Sequence, residues 1–382
     1  MKAVYLRSHS YECDGRLARY LKICHEISVD FMVFDWDRNG LSKNNKLPHW
    51  RKPFTVRAKV GSGIKNIFNL ILWNIYLLGQ LIRYQGKYQV IHAADVDTLI
   101  PALIVAKCFK KHLIFDIYDK YSASREMPTF LARKFDWLES KGIEIAQDVI
   151  VPHVCRIEQL GIDKLNLKKD VHIFENIPLV SSIESSLSLE LVHSLIEFKQ
   201  KYNICLAYVG ILESTHRGLE NLLKAVSETP QIALVVAGSG ALSSMFQQAS
   251  REFDNILYVG QVKPEHAHEI LQTADVHVGF YYKSIVNHLY ASPNKYYEHL
   301  YYGKAMLTNE GVPPGYLVNE YNTGYVIDDT YQALMKCLNS MELDDIKKLG
   351  AKANLLWQRK YVTYYSFMME EYQKILLSTQ NT

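Results

Sequence analysis

Paired cysteines, a basic stripe and an apolar leader are all missing from this 382-residue chain, and each absence removes a class of function. The six cysteines (Cys13, Cys24, Cys108, Cys155, Cys205 and Cys337) form no C-x-x-C pair and show no metal-ligand spacing. They read as reduced thiols of a cytosolic protein. Lysine and arginine are scattered and the formal net charge is only +3, so nucleic acid is not an expected partner. Met1-Lys2-Ala3-Val4-Tyr5-Leu6 runs at once into polar residues, without the apolar core of a signal peptide, and predicts no export. No G-x-S-x-G elbow, Walker loop, H-E-x-x-H or G-x-G-x-x-G occurs, which leaves hydrolase, ATPase and dehydrogenase chemistry without residues.

What is present is length and rhythm. With 48% hydrophobic residues, the chain exceeds what one core usually serves and points to about two domains. Strand-like runs at Ala3–Leu6, Ser28–Phe34, Val90–Ala93, His112–Phe115, Val149–Val151 and Val171–Phe174 alternate with amphipathic segments. The rhythm repeats at Ile204–Tyr208, Ala233–Ala237, Ile256–Val259, Val276–Phe280, Ala305–Thr308 and Gly324–Val326, with helices such as Leu219–Ser227 and Pro264–Gln272 between. This is the pattern of two doubly wound parallel sheets of α/β class, covered on both faces. The Pro- and Ser-bearing stretch from Ile177 to Glu190 reads as the boundary, giving an N-terminal domain over 1–180 and a second over 181–356. Ligands of such sheets lie beyond the C-terminal strand ends, here expected in a central cleft between the halves.

The run from Ile67 to Ile82 is apolar almost all round, but it holds two Asn and a Gln and is short of the about 20 residues a bilayer span needs. A buried helix of the first domain is expected, with a face on anionic lipid as the alternative.

Chemistry concentrates at Ser292-Pro293-Asn294-Lys295-Tyr296-Tyr297-Glu298 and on to Gly303. Ser292 reads as an N-cap, Pro293 as the first helical residue and Gly303 as the stop. The first turn offers free N–H groups, the positive dipole end and the Lys295 ammonium to a phosphate. Glu298 follows three residues later on the same face, placed to accept from two ribose hydroxyls. Gly210 through Arg217-Gly218 follows the first strand of the second half, where glycine lets backbone approach a ligand and Arg217 opens a helix toward a phosphate. Gly238-Ser239-Gly240 and Gly260-Gln261 sit after the next two strands, and Gln261 could read a base edge. In the first half Asp14-Gly15-Arg16 opens a helix, with Arg16 able to meet an anion and Asp14 able to cap. Asp116 and Asp119 end another strand; Asp119 is the carboxylate expected in the cleft and Asp116 a structural partner. His92 reads as a satisfied core histidine. The triplets Asp35-Trp36-Asp37 and Asp95-Val96-Asp97 invite metal chelation, but about one such triplet is expected by chance, and both read as strand-end loop carboxylates.

The segment from Ser292 to Gly311 resembles the C-terminal signature of retaining GT-B glycosyltransferases of family 4, S-P-x-K-x-x-E-x-x-x-x-G-K. The resemblance implies the GT-B fold, with Glu298 on the donor ribose and the helix start on the diphosphate. Arg217-Gly218 matches the family's K-G element, Gly260-Gln261 its base-packing loop, Asp14-Gly15-Arg16 its first loop and Phe115 to Asp119 its D-x-H-D segment. Three positions depart from the pattern. The sugar-contacting Glu is Tyr290, the Arg after the first Gly is Ile211, and the histidine is Tyr118. The last segment, 357–382, is implied to cross back to the N-terminal domain on Tyr361, Tyr364, Tyr365 and Phe367.

Family likeness implies transfer of a sugar from a nucleotide diphosphate sugar to a saccharide or lipid-linked acceptor in bacterial surface polysaccharide assembly, without metal or other cofactor. Asp119, Arg217 and Lys295 are the implied catalytic residues. The donor-binding set is Arg16, Gly210, Arg217, Gly238, Gln261, Ser292, Asn294, Lys295 and Glu298. The expected location is cytoplasmic or peripheral on the inner membrane face. Two other readings stay open: a nucleotide-sugar 2-epimerase of the same fold, and a non-catalytic partner that has lost the sugar contacts.

Overall fold

The computed structural model describes residues 2–38, 40, 42, 46–58, 67–125, 127–179, 189–214, 216–262 and 264–378. Two compact units emerge, Met1–Glu175 with Tyr365–Thr382, and Asn176–Tyr364. Most of the expected boundary stretch, 180–188, lies outside the described residues.

The first unit runs β1 (Lys2–Arg7), α1 (Gly15–Glu26), β2 (Asp30–Trp36), β3 (Arg51–Phe54), α2 (Ile67–Arg83) and β4 (Val90–Ala94). It continues with α3 (Leu99–Phe109), β5 (His112–Asp116), α4 (Thr129–Ile145), β6 (Asp148–Val151), α5 (Cys155–Gln159) and β7 (Val171–Ile173). The second unit runs α6 (Leu189–Gln200), β8 (Ile204–Val209), α7 (Leu219–Ser227), β9 (Ile232–Ala237), α8 (Ser243–Glu252), β10 (Ile256–Gly260) and α9 (Pro264–Thr273). Then come β11 (Val276–Val278), α10 (Asn294–Tyr302), β12 (Ala305–Asn309), α11 (Pro313–Tyr321), β13 (Gly324–Ile327), α12 (Tyr331–Asn339) and α13 (Leu343–Lys360), and the closing α14 (Tyr364–Leu377) belongs from Tyr365 on to the first unit.

Among the described residues the first unit holds a seven-stranded sheet, β3-β2-β1-β4-β5-β6-β7, and the second a six-stranded sheet, β10-β9-β8-β11-β12-β13. Each paired strand is parallel to its neighbour, as in β1 with β2 and β8 with β9. The fold class is therefore two Rossmann-like α/β units. Central strands are buried on both faces, which is why β8 (ICLAYV) and β9 (IALVVA) read as continuous apolar runs. Helices supply the covering layer; Trp73, Leu77 and Leu81 of α2 meet Leu6, Phe34 and Ile91 of the first sheet in one core.

β3 was not legible in the sequence. Arg51-Lys52-Pro53-Phe54 has neither apolar alternation nor a free N–H at Pro53, and it is tolerated because the strand lies at the sheet edge. Arg51 is nonetheless buried, its guanidinium bound to Asp35 at 2.6 Å and to Glu12.

α2 differs from the expected buried helix. Its inner residues are covered, yet Phe68 is 68% and Ile75 62% exposed. Among the described residues no helix is long and apolar enough to cross a membrane.

α14 packs on the first unit through Met368, Tyr372, Ile375 and Leu376. Tyr372 ties it to the sheet, its hydroxyl bonded to Tyr5 at 2.8 Å and to His92 Nδ1 at 2.8 Å. Within the second unit the Tyr361 ring stacks on Trp357 at 5.6 Å and meets Tyr297 at 5.6 Å. Phe367 is 49% exposed, because the face that α14 buries is set by Met368 and Tyr372, four residues apart.

Candidate functional site

Three neighbouring strands of the second sheet end at or directly before a glycine, Gly210 after β8, Gly238 after β9 and Gly260 closing β10, and their backbones close on one another there. Gly210 N–H donates to Ala237 O at 2.9 Å and Gly238 N–H to Gly260 O at 2.8 Å. Gly238 has φ +138°, and a Cβ on it would lie 1.8 Å from Gly210 O. No other residue fits that approach. The strand end at β10 continues into exposed Gln261.

Onto this edge comes the start of α10. The Lys295 ammonium donates to Val209 O and lies 4.6 Å from the centre of the Tyr208 ring. A Cβ on Gly210 would be 2.9 Å from Lys295 Nζ, so the β8 glycine and the helix cation share one small space. Asn294 is exposed as the first helical residue. Gly303 ends the helix in the left-handed region, φ +62°.

The cap differs from its expected form. Pro293 occupies the N-cap position with φ −79° and ψ 146°, no side chain caps the helix, and Ser292 lies one residue too early to do so. Ser292 O instead accepts from Asn176 Nδ2 at 2.9 Å. The first-turn N–H groups of α10 thus receive no side-chain cap, which suits an anion at that end.

Burial lowers the Lys295 pKa to about 8, with Glu298 partly restoring it and Arg217 depressing it further. Burial raises Glu298, and Lys295 lowers it in part. Among the described residues Glu298 makes no hydrogen bond or salt bridge, although it is only partly exposed. A half-buried carboxylate without a protein partner keeps accepting capacity that a ligand's hydroxyls could use.

Arg217 does not open α7, which begins at Leu219 after Gly218 in the left-handed region, φ +59°. It lies in the preceding loop, its Nε 3.1 Å from Glu213 and its guanidinium 4.9 Å from the Tyr281 ring centre. Tyr281 is fixed by buried Asn309: its N–H donates to Asn309 Oδ1 at 2.6 Å and its carbonyl accepts from Nδ2 at 2.8 Å. Sequence reasoning passed over Tyr208, Tyr281 and Asn309. Their signal was position, each standing at the C-terminal end of a strand or just beyond it.

In the first unit the expected site residues are committed to partners. Arg16 is buried, bound to Asp116 at 2.8 Å and to Phe174 O at 2.5 Å, so it is not an exposed anion binder. The ion pair consumes its charge. Burial alone would raise Asp116, but Arg16 and His92 hold it well below the usual carboxylate range. His92 is a satisfied core histidine, bonded to Tyr372 and to Asp116. Asp119 pairs with Arg156 and keeps its side chain 49% exposed. Asp14 caps α1, accepting from Leu17 N–H at 2.9 Å. Both Asp-x-Asp triplets bind protein groups: Asp35 holds Arg51, Asp37 accepts from Ser42 N–H at 2.7 Å, Asp95 holds Arg7 at 2.5 Å, and Asp97 accepts from Ser8 Oγ at 2.6 Å.

The structure therefore brings together Gly210, Gly238, Arg217, Lys295 and Glu298 at one sheet edge, and leaves Arg16 and Asp119 on partners of their own. Lys295 is expected to titrate near pH 8 in the ligand-free protein, and Glu298→Gln to move that titration lower by removing the carboxylate that favours the ammonium. Carbon-13 NMR of the reductively methylated protein, assigned with Lys295→Arg, reads both. A Lys295 signal titrating with the exposed lysines contradicts the burial.

Residues 196–354 match the family model of glycosyl transferases group 1. No curated protein matches the sequence significantly. Among solved structures, sucrose-phosphate synthase from Thermosynechococcus elongatus is similar at 14% identity and TM-score 0.71, over 99% of this chain and 100% of that one. Anabaena HepE in complex with UDP and glucose is similar at 15% identity and TM-score 0.68, over 97% and 99%. The lipopolysaccharide outer core galactosyltransferase WaaB is similar at 13% identity and TM-score 0.58, over 99% of each chain. Residues 196–354 are thus similar to glycosyl transferases group 1, and the chain has the two-unit GT-B fold of these solved structures.

Proposed function

We propose that the protein moves a sugar, with retention of configuration, from a nucleoside diphosphate sugar to a saccharide acceptor that is lipid-linked, in bacterial surface polysaccharide assembly. The observation that carries the donor part is the pairing of half-buried Lys295 and Glu298, which has no protein partner among the described residues, at the glycine strand ends. The diphosphate lies against the α10 N-terminus and Lys295, and the ribose hydroxyls donate to Glu298. HepE, of the same fold, is seen with UDP and glucose, which supports a nucleotide donor. WaaB supports the surface-saccharide part by its name and full-length likeness.

In this reading the bond from the anomeric carbon to the leaving phosphate breaks while the acceptor oxygen bonds to the same face. The acceptor proton passes to a phosphate oxygen of the departing diphosphate. Lys295, Arg217 and the helix N–H groups stabilise the charge that develops there, so no protein nucleophile and no divalent ion is required. Asp119 acts on the acceptor. With Ile211 65% exposed where the family pattern has an arginine, Arg217 and Lys295 carry the phosphate charge between them.

Glu298→Ala is expected to weaken UDP binding by the loss of charged hydrogen bonds, about 1.5–3 kcal/mol or about 10- to 150-fold. Calorimetry with unchanged affinity removes Glu298 from the site, and a wild-type chain that binds no nucleotide favours the non-catalytic reading. Transfer is expected to survive excess EDTA. Its complete loss, restored by Mn²⁺, would replace this mechanism with a metal-dependent one.

A further inference from the structure

The outer face of α2 carries no charge along its length. Phe68, Ile71 and Ile75 point outward at 68%, 51% and 62% exposure, followed by Gly79 and then Ile82 at 47%. The spacing of 3, 4, 4 and 3 is one helical stripe, opposite the buried stripe of Trp73, Leu77 and Leu81. α3 packs beside α2 and adds Ile100 at 48% and Ile104 at 45%. Water is a poor neighbour for such a face, and a patch this continuous marks an interaction surface.

Charge identifies the occupant. No aspartate or glutamate occurs in residues 67–94 or 98–115, whereas Arg83 ends α2 and Lys87 follows it, and Lys107 lies in the last turn of α3 with Lys110 just after it, all exposed. The cations gather where both helices end, beside the apolar stripe. A second copy of the chain on this face would bring these cations near their own kind with no carboxylate to answer them. An anionic bilayer answers both features, taking isoleucine and phenylalanine into the headgroup and acyl boundary while the phosphates meet the cations. At 17 residues α2 is about 25 Å long, too short to cross, so it would lie along the surface.

We infer that the α2–α3 face of the first unit is an in-plane docking surface for anionic lipid. It deepens the proposed lipid-linked acceptor and takes its purpose from that reading. Vesicle binding and nucleotide binding are separate measurements, so either can fail alone.

The test is co-sedimentation of the full chain with phosphatidylcholine vesicles, with and without phosphatidylglycerol. Binding is expected on the anionic vesicles, falling with salt. Ile71→Glu with Ile75→Glu should lower it more than about tenfold, and Lys107→Gln with Lys110→Gln about fivefold per residue. Leu355→Glu, at an exposed leucine of the second unit, should leave it unchanged. All three should keep wild-type UDP affinity and melting temperature. Absence of binding to anionic vesicles overturns the inference, as does binding that ignores the isoleucine and lysine changes. A concentration-dependent dimer abolished by Ile71→Glu with Ile75→Glu, without vesicle binding, would give the face to a second copy and overturn it too.

Discussion

The desolvation of one ammonium organises the second unit. Lys295 is held among protein atoms at the start of α10, with Val209 O as its acceptor and Tyr208 against it, and burial brings its pKa down to about 8. A charge in such a place is expensive, and Glu298 repays part of the cost only through space. The neighbouring backbone leaves no room beside Gly238, where the Gly210 carbonyl stands in the place of a Cβ, and Gly210 has φ +155°, a conformation that residues with side chains rarely adopt. In the proposed function an incoming diphosphate would restore to Lys295 what burial took away.

The parallel sheet places this arrangement. Every strand of the second sheet ends on the same edge, so loops after β8, β9, β10, β11 and β12 converge there, and the N-terminus of α10 arrives with them. The first unit has the same architecture but treats its edge differently. Arg16, Asp116, His92 and Tyr372 form a buried chain of ion pair and hydrogen bonds that fastens α14 to the sheet. Arginine and aspartate at these strand ends are thus engaged in structural contacts of the first unit.

The two-sheet alternation was legible because central parallel strands are buried on both faces and read as apolar runs. The Lys295–Glu298 spacing and the Gly303 stop were legible because they depend on helix period and on left-handed backbone alone. The cap was not, since whether Ser292 or Pro293 holds the N-cap turns on a single backbone residue. β3 was hidden by Arg51, whose burial rests on Asp35 from another strand, a tertiary fact that local pattern does not carry. Arg16 looked available for the same reason, because its partner lies a hundred residues away. Tyr281 and Asn309 escaped notice because neither type announces a phosphate site; only their strand-end positions do. The apolar run at α2 showed its composition but not its two faces, since a helix apolar all round has no period to read.

The central claim is that Lys295 meets the diphosphate as a cation. The most direct measurement is UDP affinity by calorimetry across about pH 7 to 9.5 on the wild type and on Lys295→Arg. Lys295 is charged below its pKa of about 8 and neutral above it. The account predicts an affinity that falls about tenfold per unit once the pH passes that value, with one proton taken up per UDP bound, and a flat profile for the arginine variant. A wild-type affinity independent of pH over this range, or an identical fall in Lys295→Arg, would contradict it.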